Sequence, residues 1–179
     1  MISAFNKFKG VEILNFFLDH PNSELNINDL AKKLKISTRT AKEYIDLLLE
    51  YNILFDKNIR NNKLVVLNND DKLVTELKKV RVLSLVKELK LEKEINNPFY
   101  IFGSCASGEY YEESDLDIFI IKQKNYNKNK VLALASKIRL EVNIKEVPFY
   151  KLLEYKDKNK EFIIEVKGGI YFGEPLHGL

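Results

Sequence analysis

Residues 99–121 read FYIFGSCASGEYYEESDLDIFII, and this stretch decides the reading of the second half of the chain. Two apolar runs, 99–102 and 116–121, flank a polar segment and predict two buried strands. Between and into them runs the pattern G-S-x(3)-G-x(5)-S-D-x-D. Gly103 ends the first strand and offers a backbone that a phosphate can approach closely, because no Cβ stands in the way. Ser104 adds a hydroxyl and a backbone N–H for the same phosphate. The following residues predict the start of a helix, whose N-terminus favours anions. Gly108 closes that loop, and Ser114 precedes the first of two aspartates. Asp115 and Asp117 stand two apart on a strand, which puts both carboxylates on one face, about 6.5–7 Å apart. Carboxylates so spaced hold hard divalent cations through oxygen, and Mg²⁺ held there bridges to a nucleotide's phosphates.

Working outward, residues 122–130, KQKNYNKNK, predict a surface loop, and 131–140, VLALASKIRL, a helix. Residues 141–147, EVNIKEV, alternate as a third strand. Val142 and Ile144 share one face; Glu141, Asn143 and Lys145 share the other. Pro148 begins another helix, and 169–173 predict a last short strand. Cys105 lies in the glycine loop with no histidine near it in sequence, so it reads as a small buried residue rather than a nucleophile. Tyr110 and Tyr111 read as packing or surface tyrosines.

These six fixed positions between two strands resemble the nucleotidyltransferase superfamily that includes DNA polymerase β, and most closely its minimal members. The resemblance covers roughly residues 96–179. It implies a mixed β-sheet with flanking helices, a nucleoside triphosphate such as ATP as substrate, and Mg²⁺, with two ions as the upper number. It implies that Gly103 and Ser104 hold the phosphates and that Asp115 and Asp117 bind metal. Family members usually carry a third acid on the next core strand, and here the candidates are Glu141 and Asn143. Ser107 stands where these relatives often have arginine. A chain this small does not grip a long primer–template, so the resemblance implies transfer of a nucleoside monophosphate to a hydroxyl on a protein, such as a toxin partner. The competing reading is a catalytically inactive regulator that uses the fold for nucleotide sensing or protein interaction.

The first half differs in kind. Of seven glycines, none lies between residues 11 and 102, so its turns are built from other residues, chiefly asparagine. Residues 5–19 predict a helix with Ile13, Phe16, Phe17 and His20 near one side, ended by Pro21. A short extended piece at 24–26 leads to a second helix, capped by Asn26 or Asn28, with Asp29 in its first turn. Ser37 caps a third helix, with Ala41, Ile45, Leu48 and Leu49 at helical spacing. Two β-rich runs around Asn61 and Asn62 predict a hairpin. The stretch 27–54, INDLAKKLKISTRTAKEYIDLLLEYNIL, resembles the winged helix-turn-helix family of DNA binders, over roughly residues 5–69. Lys35 occupies a turn position where that family often has glycine. The resemblance implies that Thr38, Arg39, Thr40 and Lys42 face a DNA duplex, with Lys57, Arg60 and Lys63 on the wing.

The chain thus predicts an α+β protein of three parts: a winged helix over 1–70, a linking helix over 71–95 and the transferase domain over 96–179. Leu73, Leu77, Val80, Leu83, Val86 and Leu89 carry the linker's apolar pattern, which either packs on its own chain or forms a homodimer contact. Residues 1–96 hold 17 basic and 14 acidic side chains, against 12 of each in 97–179. The small positive excess lies in the half expected to meet DNA. Its size excludes a polybasic nucleic-acid binder, and the single cysteine excludes a disulfide framework or a cysteine zinc site. No apolar run approaches the ~18 residues of a membrane span, and the N-terminus has no signal-peptide core. Together these predict a cytoplasmic protein without membrane contact.

Overall fold

The computed structural model describes residues 8–59, 62–135 and 141–174. Arg60, Asn61, His177 and the ends of the helices expected over 5–19 and 131–140 lie outside them. The chain forms two compact units that divide between Arg81 and Val82.

The first unit begins with α1 (Lys9–Asp19), α2 (Ile27–Leu34) and α3 (Thr38–Glu50). Asn26 caps α2, its side chain accepting from the Asp29 N–H at 2.9 Å. Ser37 caps α3 in the same way through the Thr40 N–H at 3.0 Å. Each cap satisfies one N–H that the helix cannot, worth about 1 kcal/mol. Between the two helices the turn is made by Lys35 at φ 53°, ψ 43°, its N–H bonded back to Ala31 and Lys32. This is the position where glycine would have been expected. Strands β1 (Leu54–Ile59) and β2 (Asn62–Leu67) pair antiparallel, with Leu54 opposite Leu67. Leu25 and Val65 exchange backbone bonds of 3.3 and 2.8 Å, so the extended piece joins the hairpin as a single bridge. Ile13, Phe17, Leu30, Ile45, Leu54 and Val65 are buried together beneath these elements. Burying side chains of this size contributes about 1.5–3 kcal/mol each. His20 ends α1 with Nδ1 2.8 Å from the Phe16 carbonyl and its ring stacked on Phe16, a structural role.

The single helix expected over 71–95 is two. Helix α4 (Lys72–Glu88) stops, Lys90 turns left-handed at φ 57°, and α5 (Leu91–Ile95) follows. The break redirects the chain so that Leu91 and Ile95 are both fully buried. No glycine or proline marks it. The inward face of α4 also differs from the expected one. Of the expected face, Val86 is buried and Leu77 and Leu89 pack against a core, but Leu73, Val80 and Leu83 are exposed, while Val74, Val82 and Ser84 are buried instead. Positive φ outside glycine occurs at Lys35, Asn52, Lys90 and Asn96. Lysine therefore shares the turn work that was expected of asparagine.

The second unit is built on a four-stranded sheet of order β5-β4-β3-β6. Strand β3 (Phe99–Phe102) leads through the one-turn helix α6 (Ser104–Ser107) to β4 (Asp115–Lys122), antiparallel to it. Helix α7 (Lys128–Ala135) then crosses over to β5 (Glu141–Pro148), parallel to β4. A short 3₁₀ turn (Phe149–Lys151), α8 (Leu152–Lys158) and α9 (Lys160–Lys167) follow, and β6 (Ile170–Phe172) returns antiparallel to β3. One face of the sheet carries the larger apolar core: Phe99, Ile101, Leu116, Ile118 and Ile120 join Val82, Val86 and Val131. On the other face Phe102, Phe119, Ile121 and Val147 pack with Leu152, Ile163 and Val166. That second core covers only part of its face, and the uncovered part carries the polar residues.

Candidate active site

The site lies where the C-terminal end of β3 meets the N-terminal ends of β4 and β5. Strand periodicity puts Asp115 and Asp117 on one face with Phe119. The ladder sets Phe102 opposite Asp117 on one side. On the other side it sets Asp115 beside Glu141 and Asp117 beside Asn143. Asn143 Nδ2 donates to Asp115 Oδ2 at 2.8 Å and to Asp117 Oδ1 at 3.4 Å. The structure thus brings Asn143 between the two carboxylates, while Glu141 stays exposed at the strand's start.

Gly103 adopts φ 68°, ψ −153°, a region essentially confined to glycine. A Cβ built there would lie 3.0 Å from Asp117 Oδ2. Gly103 therefore provides both the turn and the room for the carboxylate. Its carbonyl accepts from the N–H groups of Ala106 and Ser107 at 3.0 and 3.1 Å, which winds the single turn α6. Gly108 closes that turn at φ 78°. Ser104 opens α6 and is partly exposed. Ser114 is engaged locally: its Oγ accepts from the Tyr111 N–H at 2.8 Å, closing the turn that feeds into β4. The Ser107 hydroxyl has one proton to offer to two acceptors in reach, Ser104 O at 3.2 Å and Glu109 at 3.1 Å. Cys105 is fully buried, and its thiol donates to the Asp115 carbonyl at 3.3 Å. Burial, then the charges of Asp117 and Asp115, push the thiol up to about 12. It clamps the loop to β4 and is not a nucleophile. Tyr110 is buried in the core, and Tyr111 is exposed.

The electrostatics fit a cation site. Partial burial is the main cause that raises Asp117 above the usual carboxylate range. The Asn143 hydrogen bond opposes this, and the charges of Asp115 and Glu165 add to it. Glu165, on α9, is a residue that sequence reasoning missed. Only the packing of α9 against β3 brings its charge to bear. Among the described residues no three His, Cys, Asp or Glu side chains group closely enough to hold a metal. The fit is of a different composition: two carboxylates on one face, a cleared cradle at Gly103, and an amide whose oxygen comes forward if its plane turns over. Asp115 and Asp117 would hold Mg²⁺ there, with Asn143 as the oxygen donor available in third position.

In the first unit Thr38, Arg39 and Lys42 are exposed at the start of α3, and Thr40 is partly exposed. The Thr40 and Ser37 hydroxyls lie 2.8 Å apart. Lys57 pairs with Glu24 at 2.5 Å and Lys63 with Asp56 at 2.8 Å. Arg60 lies outside the described residues. No helix of the described residues is long and apolar enough to cross a membrane.

Residues 84–171 match the family model described as Polymerase beta, Nucleotidyltransferase. That match lies wholly within the second unit, whose mixed four-stranded sheet fits a nucleotidyltransferase-type fold. A Methanocaldococcus jannaschii protein named "Putative protein adenylyltransferase MJ0141" is 29% identical over 96 residues, which is 49% of this chain and 94% of that protein. A crystal structure of Pseudomonas aeruginosa HmgR aligns at TM-score 0.34 and 15% identity. That alignment covers 55% of this chain, which spans 42% of that structure's length. The matched region of the second unit contains all of β3, β4 and β5, and with them every residue of the acidic site.

Proposed function

We propose that the second unit binds a nucleoside triphosphate with Mg²⁺ and transfers its nucleoside monophosphate to a hydroxyl on a protein partner, breaking the α–β phosphoanhydride bond and releasing pyrophosphate. The observation that carries this reading is the aspartate pair on one face of β4, set against the glycine-only turn at Gly103. Gly103 and Ser104 approach the phosphates, Gly108 and Ser114 shape the loop, and Asp115 and Asp117 hold the cation. Mg²⁺ supplies neutralisation of phosphate charge and alignment of the displacement. The residues' own share is positioning: Asn143 fixes the two carboxylates, and the apolar face beneath keeps β4 rigid. A protein acceptor is favoured by the likeness to the named adenylyltransferase.

The second reading, a catalytically silent regulator, rests on Asn143. An amide coordinates through oxygen but accepts no proton at neutral pH. Such a protein senses the nucleotide without turning it over. Both readings assign the first unit as a winged helix on DNA. Arg39 and Lys42 reach the duplex from α3, and Lys57, Arg60 and Lys63 reach it from the wing. Both fit a cytoplasmic, antitoxin-like protein that controls its own expression, and the exposed Leu73, Val80 and Leu83 offer a homodimer contact.

Titration calorimetry with ATP, with and without Mg²⁺, tests the nucleotide site. Binding that needs Mg²⁺ supports it, and no binding of any of the four triphosphates sinks it. Labelled transfer from ATP to proteins of a host extract then separates enzyme from sensor. For DNA, the salt slope of binding should fall by about one for each phosphate contact removed at Arg39 and Lys42. An unchanged slope contradicts the proposed recognition helix.

A further inference from the structure

Lys145 lies on the same face of β5 as Asn143, one step further along, opposite Phe119 in the ladder. Its ammonium sits 4.0 Å from the centre of the Phe162 ring and 5.6 Å from that of Tyr155. It has no carboxylate partner among the described residues, although Asp115, Asp117, Glu141 and Glu165 all lie around the site. Phe162 is wedged against Phe102 at 5.4 Å and Phe119 at 5.6 Å. Phe102 immediately precedes Gly103, and Phe119 is two residues past Asp117. The aromatic shelf therefore touches both arms of the acidic site. The Tyr155 hydroxyl is buried with no hydrogen-bond partner among the described residues. A buried hydroxyl in that state keeps an unspent donor. A cation on a π-face keeps its full charge uncompensated by any anion, so it can still take up one. The face is otherwise acidic, and a polyphosphate arriving there needs a positive group.

We propose that Lys145, its ammonium held over the Phe162 and Tyr155 rings, forms a second anion position that takes a phosphate group of the bound polyphosphate, separate from the Gly103–Ser104 turn. Lysine suits the role as a mobile point charge on a long stem. The inference rests on the nucleotide reading above, and its test distinguishes the two.

The experiment is calorimetry on the full chain with ATP, AMP and inorganic tripolyphosphate at fixed Mg²⁺. It compares the wild type with Lys145→Met, Lys145→Arg and Tyr155→Phe. Methionine keeps the packing on the aromatic shelf and removes only the charge. Thermal melts of each variant check the fold. Loss of a charge-assisted phosphate contact should weaken ATP and tripolyphosphate about tenfold in Lys145→Met and leave AMP unchanged. Lys145→Arg should keep most of the affinity, and Tyr155→Phe should lose less than Lys145→Met. Wild-type affinity for ATP and tripolyphosphate in Lys145→Met overturns this position and leaves the nucleotide reading standing. An equal loss for AMP also overturns it, because the effect would then not follow the added phosphates. A wild-type chain that binds no triphosphate removes both.

Discussion

Two turns carry the two halves of this molecule, and they differ in what they demand. Lys35, between α2 and α3, and Gly103, between β3 and α6, both have positive φ. Lys35 sits at ψ 43°, inside the left-handed well that any L-residue enters at a cost of about 1–2 kcal/mol. Gly103 sits at ψ −153°, where a side chain collides with its own backbone, and a Cβ there would press on an aspartate oxygen at 3.0 Å. The first turn prefers glycine and does without it. The second requires glycine. Positive φ alone therefore does not identify a functional loop; the value of ψ and the neighbouring group do.

Several changes press on this contrast. Replacing both Asp115 and Asp117 with alanine should abolish Mg²⁺-dependent ATP binding, a fall of more than about a hundredfold by calorimetry. Gly103→Ala should cost about 1–3 kcal/mol in a urea melt and weaken ATP binding by at least about tenfold. A Gly103→Ala chain that melts and binds like the wild type would break the distinction drawn here.

Asn143→Asp sharpens the site rather than the turn. It places a third carboxylate where the amide now bridges Asp115 and Asp117. Mn²⁺ affinity should rise by about tenfold at pH 8, measured by titration without nucleotide. The added like charge should lower the melting temperature of the metal-free chain. The wild type itself should lose Mn²⁺ on acidification at a higher pH than an ordinary carboxylate pair. Asp117 is raised, so it takes its proton earlier as pH falls. The sign for stability is opposite: a raised carboxyl favours the folded state at low pH and weakens it as pH rises through the folded value. Asp117→Asn should therefore melt slightly higher than the wild type at pH 7.

The smallest effect belongs to the first turn. Lys35→Gly relieves the left-handed strain but loosens the unfolded chain, for a net gain of about 0.5–1 kcal/mol. Circular dichroism melts of the full chain check it. A loss of stability would mean that Lys35 contributes more than its backbone conformation.

The acidic site was legible because its residues have few substitutes: glycine for the turn, aspartate pairs for a cation, apolar runs for the strands that hold them. The strand face holding Asn143 was legible from alternation, but its two hydrogen bonds follow from the β4–β5 register, which only pairing fixes. The cap at Ser37 was legible because side-chain oxygen before a helix has one common use; for α2 the sequence left Asn26 and Asn28 open, and the structure uses Asn26. The break at Lys90 was not, since lysine in a left-handed turn leaves no compositional mark. The outward face of α4 was misread for a related reason. Its apolar residues keep helical spacing on both sides, and periodicity does not say which side is covered. Glu165 and the shelf under Lys145 depend on α9 lying against β3, a contact between segments far apart in sequence.

The acidic groups of the second unit's site gather at one rim of its sheet, and at the opposite rim a single side chain ties the strand ends together. Asn97 Oδ1 accepts from the N–H groups of Gln123 and Lys124 at 2.8 Å each, and its Nδ2 donates to the Ile95 and Lys124 carbonyls at 2.7 and 3.2 Å. The exposed loop that follows begins the full length of β4 away from Asp115, roughly 26 Å at strand rise. That distance makes Asn125 a natural attachment point for a reporter dye. A label there would stand in the loop beyond the far end of β4, well away from anything the aspartates bind.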